Sequence, residues 1–401
     1  MLQDILLSMP LWLQALGLFF VAAWLVQLLY LLIVRRRPLS RIRAEKKGRL
    51  KVTDEQPGIT VVVYAHNQAD DLLHNLPVLL DNNYPDFEVV VVDDGSTDDT
   101  ENVLTQMDQR SEHFFHTTIA ERVRTVSHRK LAMMLGVKAA HNGIILMTQA
   151  QCVPSSPEWI ASMAKHFTPG IDAVIGPTVY ESRTGFMNRF MQWDYFDRMI
   201  TMLGLTIASK PYSGWSTNMA FRKEIFFDNH NRAFSNHLDI HPGEDDVFLK
   251  YATRKVRGFG RYNITAACST DALIINQIQP LKYNWNKDRL TRAFTQRYYF
   301  WTPCTLKHID TLSRYALVGS GTATIAITGI MANWWVLGAA TILMLVHALL
   351  CSLIPYYTAK RMGTHRYMMS PLFYYLITPL IDAIYVLKAG THTRQFYVGR
   401  I

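Results

Sequence analysis

Cysteine is scarce in this sequence, with 4 residues among 401. Cys152, Cys268, Cys304 and Cys351 are widely separated, so they form neither a metal-ligand motif nor the framework of a disulfide-rich secreted domain. A cytoplasmic catalytic domain with reduced thiols fits this pattern. The sequence also lacks internal repeats, low-complexity tracts and a P-loop, which excludes repeat architectures and nucleotide binding of the P-loop type.

Acidic residues are outnumbered, with 32 Asp and Glu against 41 Lys and Arg, and the formal net charge is +9. A basic surplus of this kind suits nucleic acid, an anionic bilayer or phosphorylated substrates. The hydrophobic runs favour the bilayer. Residues 11–34 are uncharged and long enough to cross it, and they lack the basic start and small-residue cleavage site of a removable signal. We therefore expect a membrane anchor and no nucleic-acid partner.

A basic cluster, residues 35–47, follows the first apolar run directly. Such clusters mark the cytoplasmic side of a membrane, and they also suit anionic lipid headgroups. We therefore expect the amino-terminal end of the first span to lie outside and the chain from residue 35 onward to lie inside.

Two further apolar runs, residues 315–331 and 334–357, predict a pair of transmembrane helices. A third run, residues 371–387, contains Pro379 and Asp382. If this third run spanned the membrane, the basic residues after it would lie outside, against the positive-inside tendency. The run is therefore compatible with a span, an interfacial helix or a re-entrant segment.

The most informative local pattern lies at residues 88–100, where four consecutive Val residues precede Asp93 and Asp94. The Val run predicts a strand buried on both faces, and its carboxyl end is where open α/β sheets bind ligands. The same acids also suit a helix cap. Residues 58–67 predict a second strand and residues 70–82 an intervening helix, so we expect a βαβ unit with parallel strands and a right-handed crossover.

These segments resemble the family-2 glycosyltransferases of the GT-A fold. The family pattern is a strand ending in Ala-His-Asn-Glu, a helix, Asn-x-x-Tyr-Pro, and a Val-rich strand ending in Asp-Asp-Gly-Ser-Thr-Asp. Further matches follow in the family's order at residues 130–140, 213–222 and 243–249. The resemblance implies an α/β fold with a mixed sheet and helices on both faces, to which the apolar runs add transmembrane helices at both ends.

The resemblance also implies roles for individual residues. In the family, an acidic motif carries the base that takes the acceptor hydroxyl proton, and a Gln-x-x-Arg-Trp motif, of which only the Arg remains here, holds the acceptor end and the leaving diphosphate. The acidic motif also suits an ordinary helix cap. The residues so assigned are His66, Asn67, Asp93, Asp94, Lys130, Gln149 and Gln151 for the nucleotide-sugar, Asp245 as the base with Glu244 and Asp246 beside it, and Asn218 and Arg289 for the acceptor or diphosphate.

The metal-binding motif departs from the family. Members usually hold Mg²⁺ or Mn²⁺ with the two acids of Thr-Asp-Ala-Asp-Cys-x-Pro, but Gln149 and Gln151 replace both acids here. Gln68 likewise stands where the family usually has Glu. Hard divalent cations prefer anionic oxygen ligands, so the sequence predicts no metal ligand although the family implies Mg²⁺ or Mn²⁺.

Cationic side chains offer another way to bind the diphosphate, because guanidinium groups contact phosphate bidentately. A cluster before the predicted helix at 130–140 could do so, or it could be a solvated basic loop. The cluster consists of Arg122, Arg124, His128, Arg129 and Lys130.

Two other patterns bear on the membrane side of the molecule. Apolar residues from Phe186 to Leu203 recur at helical spacing, which predicts a core helix, or one that docks on the bilayer or lines a lipid-acceptor groove. Residues 282–301 mix basic and aromatic side chains and predict an interfacial helix.

The predicted function is a membrane-anchored inverting glycosyltransferase of polysaccharide biosynthesis, multi-pass in the inner or plasma membrane. It would move a sugar from a nucleotide-sugar donor to a lipid-linked or growing glycan acceptor at the cytoplasmic face. Because the metal motif is replaced, the alternative is a catalytically degenerate subunit of a glycan-assembly complex, acting with partner subunits. The predicted divisions are a transmembrane helix at 1–34, a basic cytoplasmic linker at 35–57, a GT-A domain at 58–280, interfacial helices at 281–311, two or three transmembrane segments at 312–390 and a tail at 391–401.

Overall fold

A computed structural model describes residues 9–119, 126–227, 237–241, 243–253, 262–299, 301–365 and 370–397 of the chain. The strands are β1 Ile59–Ala65, β2 Phe87–Asp93, β3 Phe114–Thr118, β4 Ile144–Gln149, β5 Cys152–Pro154, β6 Ala173–Ile175, β7 Thr178–Tyr180, β8 Met219–Arg222, β9 Ile264–Ala266 and β10 Ile274–Asn276.

Helices surround these strands and extend beyond them at both ends. They are α1 Leu11–Tyr30, α2 Arg37–Lys46, α3 Ala69–Leu80, α4 Thr100–Asp108, α5 His128–Ala139, α6 Trp159–Ala164, α7 Phe186–Ile207, α8 Lys223–Phe227, α9 Glu244–Thr253, α10 Leu281–Thr295, α11 Trp301–Ile330, α12 Trp334–Met362 and α13 Ser370–Thr391.

A seven-stranded mixed sheet carries the core, in the order β3-β2-β1-β4-β8-β6-β9. Strands β3, β2, β1 and β4 are parallel, whereas β8 runs antiparallel to both of its neighbours. The predicted βαβ unit is confirmed, with Val63 of β1 opposite Val91 of β2. A second sheet, β5-β10-β7, lies beside it. The carboxyl ends of β1, β2 and β4 therefore meet at one edge, where the predicted ligand residues follow.

The Val-rich strands are buried because both sheet faces are covered. Successive side chains of a strand point to opposite faces. Val61, Val89 and Val91 pack in a cluster with α3, α4 and α6, whereas Val62 and Val90 pack in the cluster that contains α5 and α7. The predicted α/β architecture with helices on both faces is thus confirmed.

The first helical run is longer than the predicted 11–34 segment. After α1 it passes through a π-helical turn, Leu31–Arg35, into α2. This turn packs closely on α7, because a Cβ on Gly204 would lie 2.3 Å from the carbonyl oxygen of Val34.

The expectation that Arg35 suits lipid headgroups is wrong for this residue. Its buried guanidinium donates to Asp197 of α7, Nη2 to Oδ2 at 3.0 Å, because an unpaired buried charge would be costly.

The apolar stripe of α7 belongs mainly to the core. Phe190, Trp193, Phe196 and Leu203 are buried in the cluster that joins the sheet to the helices around it. Phe186, at the start of the stripe, is exposed. Of the alternatives for this pattern, the structure therefore favours a core helix.

Two helical runs among the described residues are long and apolar enough to cross a membrane by length and composition, Leu11–Lys46 with 36 residues and Trp334–Met362 with 29 residues. The predicted span at 315–331 is the second half of α11, a continuous helix that also contains the predicted boundary between residues 311 and 312. Helix α11 packs against α1 and α12, and its Gly321 faces Phe20 and Met344.

Candidate active site

A cavity of about 530 Å³ opens at the edge where β1, β2 and β4 end. Tyr64, near the end of β1, Asp94, just after β2, and Gln149, at the end of β4, line it because the parallel register brings these strand ends together. Residues of the loop before β8, the start of α9, helix α10 and residues 395–396 complete its walls.

Asp94 is fixed at the cavity wall by two neighbouring side chains. The Tyr64 hydroxyl donates to its Oδ2 at 2.6 Å, and Nδ1 of His128 lies 2.5 Å from its Oδ1. Each carboxylate oxygen keeps a second acceptor site. The structure therefore brings Asp94 into the predicted position, with a carboxylate that can accept from a bound ribose or base.

The other residues predicted at these strand ends shape the turns instead. The buried Asp93 carboxylate accepts from the Ser96 amide at 3.2 Å and also from its hydroxyl. Asn67 has a φ of 50° and accepts from the Thr97 amide at 2.7 Å. The Nδ1 of His66 bonds to the Asp94 carbonyl oxygen at 2.8 Å. None of these three residues lines the cavity, so we assign them to holding the loop that presents Asp94.

Lys130 does not reach the cavity, contrary to its predicted nucleotide-sugar role. Its ammonium is fully buried and donates to the carbonyl oxygens of His237 at 2.7 Å and Ile240 at 2.9 Å. Burial lowers the pKa of Lys130 to about 8, although nearby acids including Glu244 partly oppose that shift. Lys130 therefore ties α5 to the segment before the acidic motif, where two carbonyls need a donor.

Neutral amides lie where the sequence resemblance leads us to expect metal-binding acids. Gln151 donates from Nε2 to Oε1 of Gln149 at 2.7 Å, and Gln68 donates to Oε1 of Gln151 at 2.9 Å. Gln149 donates in turn to the Ser216 hydroxyl at 3.1 Å, which donates to Glu244 at 3.2 Å. The three amides thus satisfy one another in a hydrogen-bonded chain. Among the described residues, no group of three or more His, Cys, Asp or Glu side chains could hold a metal ion.

The acidic motif forms the first turn of α9, where the helix dipole favours negative charge. Glu244 and Asp245 line the cavity, and Asp245 accepts from the Ser216 amide at 3.1 Å. Asp246 is buried away from the cavity and accepts from Ser213 at 2.5 Å and Thr295 at 2.6 Å. Its pKa is raised, first by burial, and by Asp245 as well, with Arg292 opposing. The predicted catalytic role of Asp246 is therefore replaced by a structural one.

Arg292 pairs with two carboxylates of the acidic motif. Its Nη1 and Nη2 donate to Oδ1 and Oδ2 of Asp245 at 2.9 and 2.8 Å, and Nη1 also lies 2.9 Å from Asp246. Burial opposes its charge, but these carboxylates overcome that effect and raise the pKa of Arg292 well above its ordinary value. Sequence reasoning named Arg292 only as part of a basic stretch.

Arg289, predicted to hold the acceptor or diphosphate, lies one turn before Arg292 on α10. It donates to Asp194 of α7, Nε to Oδ2 at 2.9 Å, and to Asp382 of α13. It lines a second cavity, of about 80 Å³, which Arg292 also borders, but it does not line the larger one. The prediction for Arg289 is therefore wrong in position: buried carboxylates from two other helices hold it away from Asp245.

Asn218 is likewise structural. Its amide donates to the carbonyl oxygens of Pro177 and Ala272, both at 2.8 Å, and its oxygen accepts from Trp159. All of these groups are buried, so their mutual hydrogen bonds stabilise the joint between the two sheets. The predicted acceptor role of Asn218 does not fit this geometry.

Two further cations face the cavity. The guanidinium carbon of Arg129 lies 5.0 Å from the centroid of the Tyr64 ring, and its Nη1 lies 3.5 Å from Glu244. Lys287 of α10 lines the cavity and makes no hydrogen bond or ion pair with any described residue. Burial lowers the pKa of Lys287, as does the charge of Arg129. Arg122 and Arg124 of the predicted basic cluster lie outside the described residues.

Residues 60–228 match a family model described as Glycosyl transferase family 2. Poly-beta-1,6-N-acetyl-D-glucosamine synthase of Staphylococcus epidermidis is 21% identical over 174 residues, which are 43% of this chain and 40% of that protein. The protein of the same name from Staphylococcus aureus (strain MSSA476) is 22% identical with the same coverage. The chain thus spans 40% of the length of these curated relatives.

Solved structures also resemble the chain. Mannosyltransferase PcManGT from Pyrobaculum calidifontis, in complex with GDP-Man and Mn²⁺, has a TM-score of 0.49 and 17% identity, covering 88% of this chain and 99% of that one. TarS 1-349 of S. aureus, in complex with UDP-GlcNAc, has a TM-score of 0.40 and 14% identity, covering 84% of this chain and 92% of that one.

Proposed function

We propose that this chain, a glycosyltransferase with a family 2 domain at residues 60–228, is a membrane-attached inverting enzyme that needs no divalent metal. It transfers a sugar from a nucleotide-sugar to a lipid-linked or growing glycan acceptor at the cytoplasmic face. One observation carries the proposal: Asp94 and Asp245 line the same cavity together with Arg129, Lys287 and Arg292. A carboxylate that can accept hydrogen bonds from the nucleotide, a candidate base and three cations therefore line the same cavity.

The cations suit the diphosphate of the donor. Breaking the sugar–phosphate bond develops negative charge on the leaving group, and fixed positive groups stabilise it. Gln149 and Gln151 do not suit Mg²⁺ or Mn²⁺, because neutral amides that already bond to each other lack the anionic oxygens these ions prefer. Arg129, Lys287 and Arg292 can supply that charge directly, the two arginines through bidentate contacts.

Asp245 is the proposed base. As the acceptor oxygen attacks, its bond to the anomeric carbon forms while the carbon–oxygen bond to the diphosphate breaks. The acceptor proton passes to a carboxylate oxygen of Asp245, and the electron pair of the broken bond remains on the diphosphate. Arg292 now pairs with Asp245, so we propose that the bound diphosphate draws the guanidinium toward itself and leaves Asp245 free to accept the proton.

Membrane attachment is proposed from the two apolar helical runs, because many of their apolar side chains are exposed on the surface of the protein. Trp12, Leu18 and Leu29 are exposed on the first run, and Trp334 and Leu345 on the second. Trp residues favour the membrane–water interface. The basic residues that follow the first run support a cytoplasmic position for the catalytic domain, where nucleotide-sugars are available.

A second candidate is a catalytically inactive partner subunit of a glycan-assembly complex. The hydrogen-bonded amides of Gln68, Gln151 and Gln149 favour it, because these neutral side chains stand where ordinary members have carboxylates. The presence of Asp245 and three cations in one cavity favours the enzyme.

The test is a screen of nucleotide-sugars for nucleotide release by the purified full chain, with and without chelator. We expect release that chelator leaves unchanged, that an acceptor glycan stimulates, and that Asp245→Asn abolishes. Asp271→Asn, at an exposed position, is the matched control. Absence of release and of nucleotide binding with every donor would favour the inactive subunit.

A further inference from the structure

Helix α13 has both ends at the catalytic domain. Just before it, at the end of α12, the carbonyl oxygen of Arg361 accepts from the Thr270 hydroxyl at 3.0 Å. Just after it, the carbonyl oxygen of Phe396 accepts from the His241 amide at 2.9 Å, and Ile240 and Tyr397 form a β-bridge. A helix that crossed the membrane could not return the chain to the same domain at both ends.

The contacts after α13 belong to the active site. The ring of Phe396 stacks on Phe294 of α10 with centroids 4.2 Å apart, and Ile240 and Ala389 complete a small apolar cluster there. Phe396 also lines the donor cavity. Lys130 donates to the carbonyl oxygen of Ile240. The residues that hold the segment after α13 therefore also form part of the cavity wall.

One face of α13 packs along the domain. Tyr374 contacts Phe190 of α7 with ring centroids 5.0 Å apart, and Asp382 pairs with Arg289 of α10. Asp382 therefore has a partner in the catalytic domain, which explains a carboxylate in an otherwise apolar helix. These contacts place α13 along α7 and α10.

The opposite face is apolar and exposed. Phe373 is 56%, Leu380 56%, Ile384 49% and Leu387 72% exposed, and their spacing of seven, four and three residues places them on one side of a helix. The exposed apolar surfaces of α1 and α12 adjoin the same domain, so the bilayer that would cover those helices is the natural cover for this face.

We propose that α13 lies on the membrane surface with this face in the boundary between headgroups and acyl chains, and that it does not cross the bilayer. The inference rests on the proposed membrane attachment. It leaves α1 and α12, the two runs that are long and apolar enough to cross. Helix α11, which packs against both, is the third crossing, because the chain is back at the catalytic domain at the end of α12. Lys388 and Arg394 then lie on the same side as residues 35–47. That arrangement satisfies the positive-inside tendency, which a fourth crossing would violate.

The test is accessibility of single cysteines to an impermeant maleimide in intact cells, using the full chain with Cys304→Ser. The other native cysteines are buried. The exposed reporter positions are Lys47→Cys on the catalytic side, Met331→Cys between α11 and α12, and Thr391→Cys at the end of α13. We expect Met331→Cys alone to react in intact cells, and the other two to react only after permeabilisation.

Reaction of both Met331→Cys and Thr391→Cys in intact cells would overturn the surface position of α13 while leaving the membrane attachment standing. Reaction of Lys47→Cys in intact cells, or failure of Met331→Cys to react there, would contradict the proposed topology itself and this inference with it.

The lipid contact has its own measurement. A polarity-sensitive dye on Leu387→Cys, in vesicles that contain brominated acyl chains, should be quenched several-fold more than the same dye on Glu101→Cys, an exposed position of α4. Equal quenching at the two positions would overturn the bilayer as the partner of this face. So would a disulfide between two copies of the unlabelled Leu387→Cys variant, if the labelled variant shows no quenching.

Discussion

Arg292 donates two parallel hydrogen bonds to Asp245, from Nη1 to Oδ1 at 2.9 Å and from Nη2 to Oδ2 at 2.8 Å. This bidentate pair lies at the wall of the cavity that also contains Asp94. It places a guanidinium of the site on the proposed base. A ligand with two phosphates can compete for that guanidinium, which links donor binding to release of the base.

Replacement of Asp245 by Asn tests the base. The amide keeps the shape of the side chain but cannot take the acceptor proton, so kcat should fall by about 10²–10⁴-fold, the usual contribution of a positioned base. Binding of a nucleoside diphosphate, measured by calorimetry, should be retained or become tighter, because Asn competes less strongly than Asp245 for the Arg292 guanidinium. Near wild-type turnover would contradict the assignment and direct attention to Glu244.

Arg292→Lys tests the phosphate contact. Lysine keeps the charge but loses the planar fork, so kcat/KM for the donor should fall about 10-fold or more, since one hydrogen bond to a charged group contributes about 1.5–3 kcal/mol. Arg289→Lys, three residues earlier on α10, is the matched control. It should lower thermal stability and leave donor affinity unchanged, because Arg289 bonds to Asp194 and Asp382. Reversal of this order would contradict the site as described.

The contrast between these two arginines shows where sequence reasoning ends. Both lie on one helix, and the basic stretch was visible in the sequence. Which arginine faces the acidic motif depends on Asp194 and Asp382, which lie 95 and 93 residues from Arg289 along the chain. Such distant partners leave no local pattern, so the family motif indicated Arg289, whereas the structure brings Arg292 to Asp245.

Local patterns predicted the sheet and the position of Asp94 at its edge. The Val runs of β1 and β2 have the composition of strands buried on both faces, and Asp94 follows directly. Lys130 and Asn218 were misassigned because their family motifs indicate where the residues lie but not which way their side chains point. Both are buried and bond to carbonyl groups of distant segments.

Lys287 should set an alkaline limit on donor binding. Burial and the charge of Arg129 lower its pKa, so the ammonium is present below that pKa and its contact with phosphate is lost as pH rises through it. Lys287→Arg, whose guanidinium stays charged, should shift the alkaline limb of kcat/KM to higher pH. An unchanged limb would exclude Lys287 from the phosphate contact.

Gln149→Asp combined with Gln151→Asp should create a metal requirement. Two carboxylates beside Glu244 repel one another without a cation, so the melting temperature should fall, and Mn²⁺ should restore it by binding the folded state. Gln149→Asn with Gln151→Asn is the neutral control of equal length and should not respond to Mn²⁺. Equal behaviour of the two double variants would contradict the proposed geometry of this position.

The central claim is that side-chain cations, and not a metal ion, bind the donor diphosphate. Calorimetric titration of the unaltered chain with a nucleoside diphosphate, in the presence of Mg²⁺ and then in the presence of chelator, tests it most directly. The account predicts the same affinity within about 2-fold in both conditions and weaker binding as salt increases, because phosphate contacts with Arg and Lys are screened. Loss of binding on addition of chelator would contradict it.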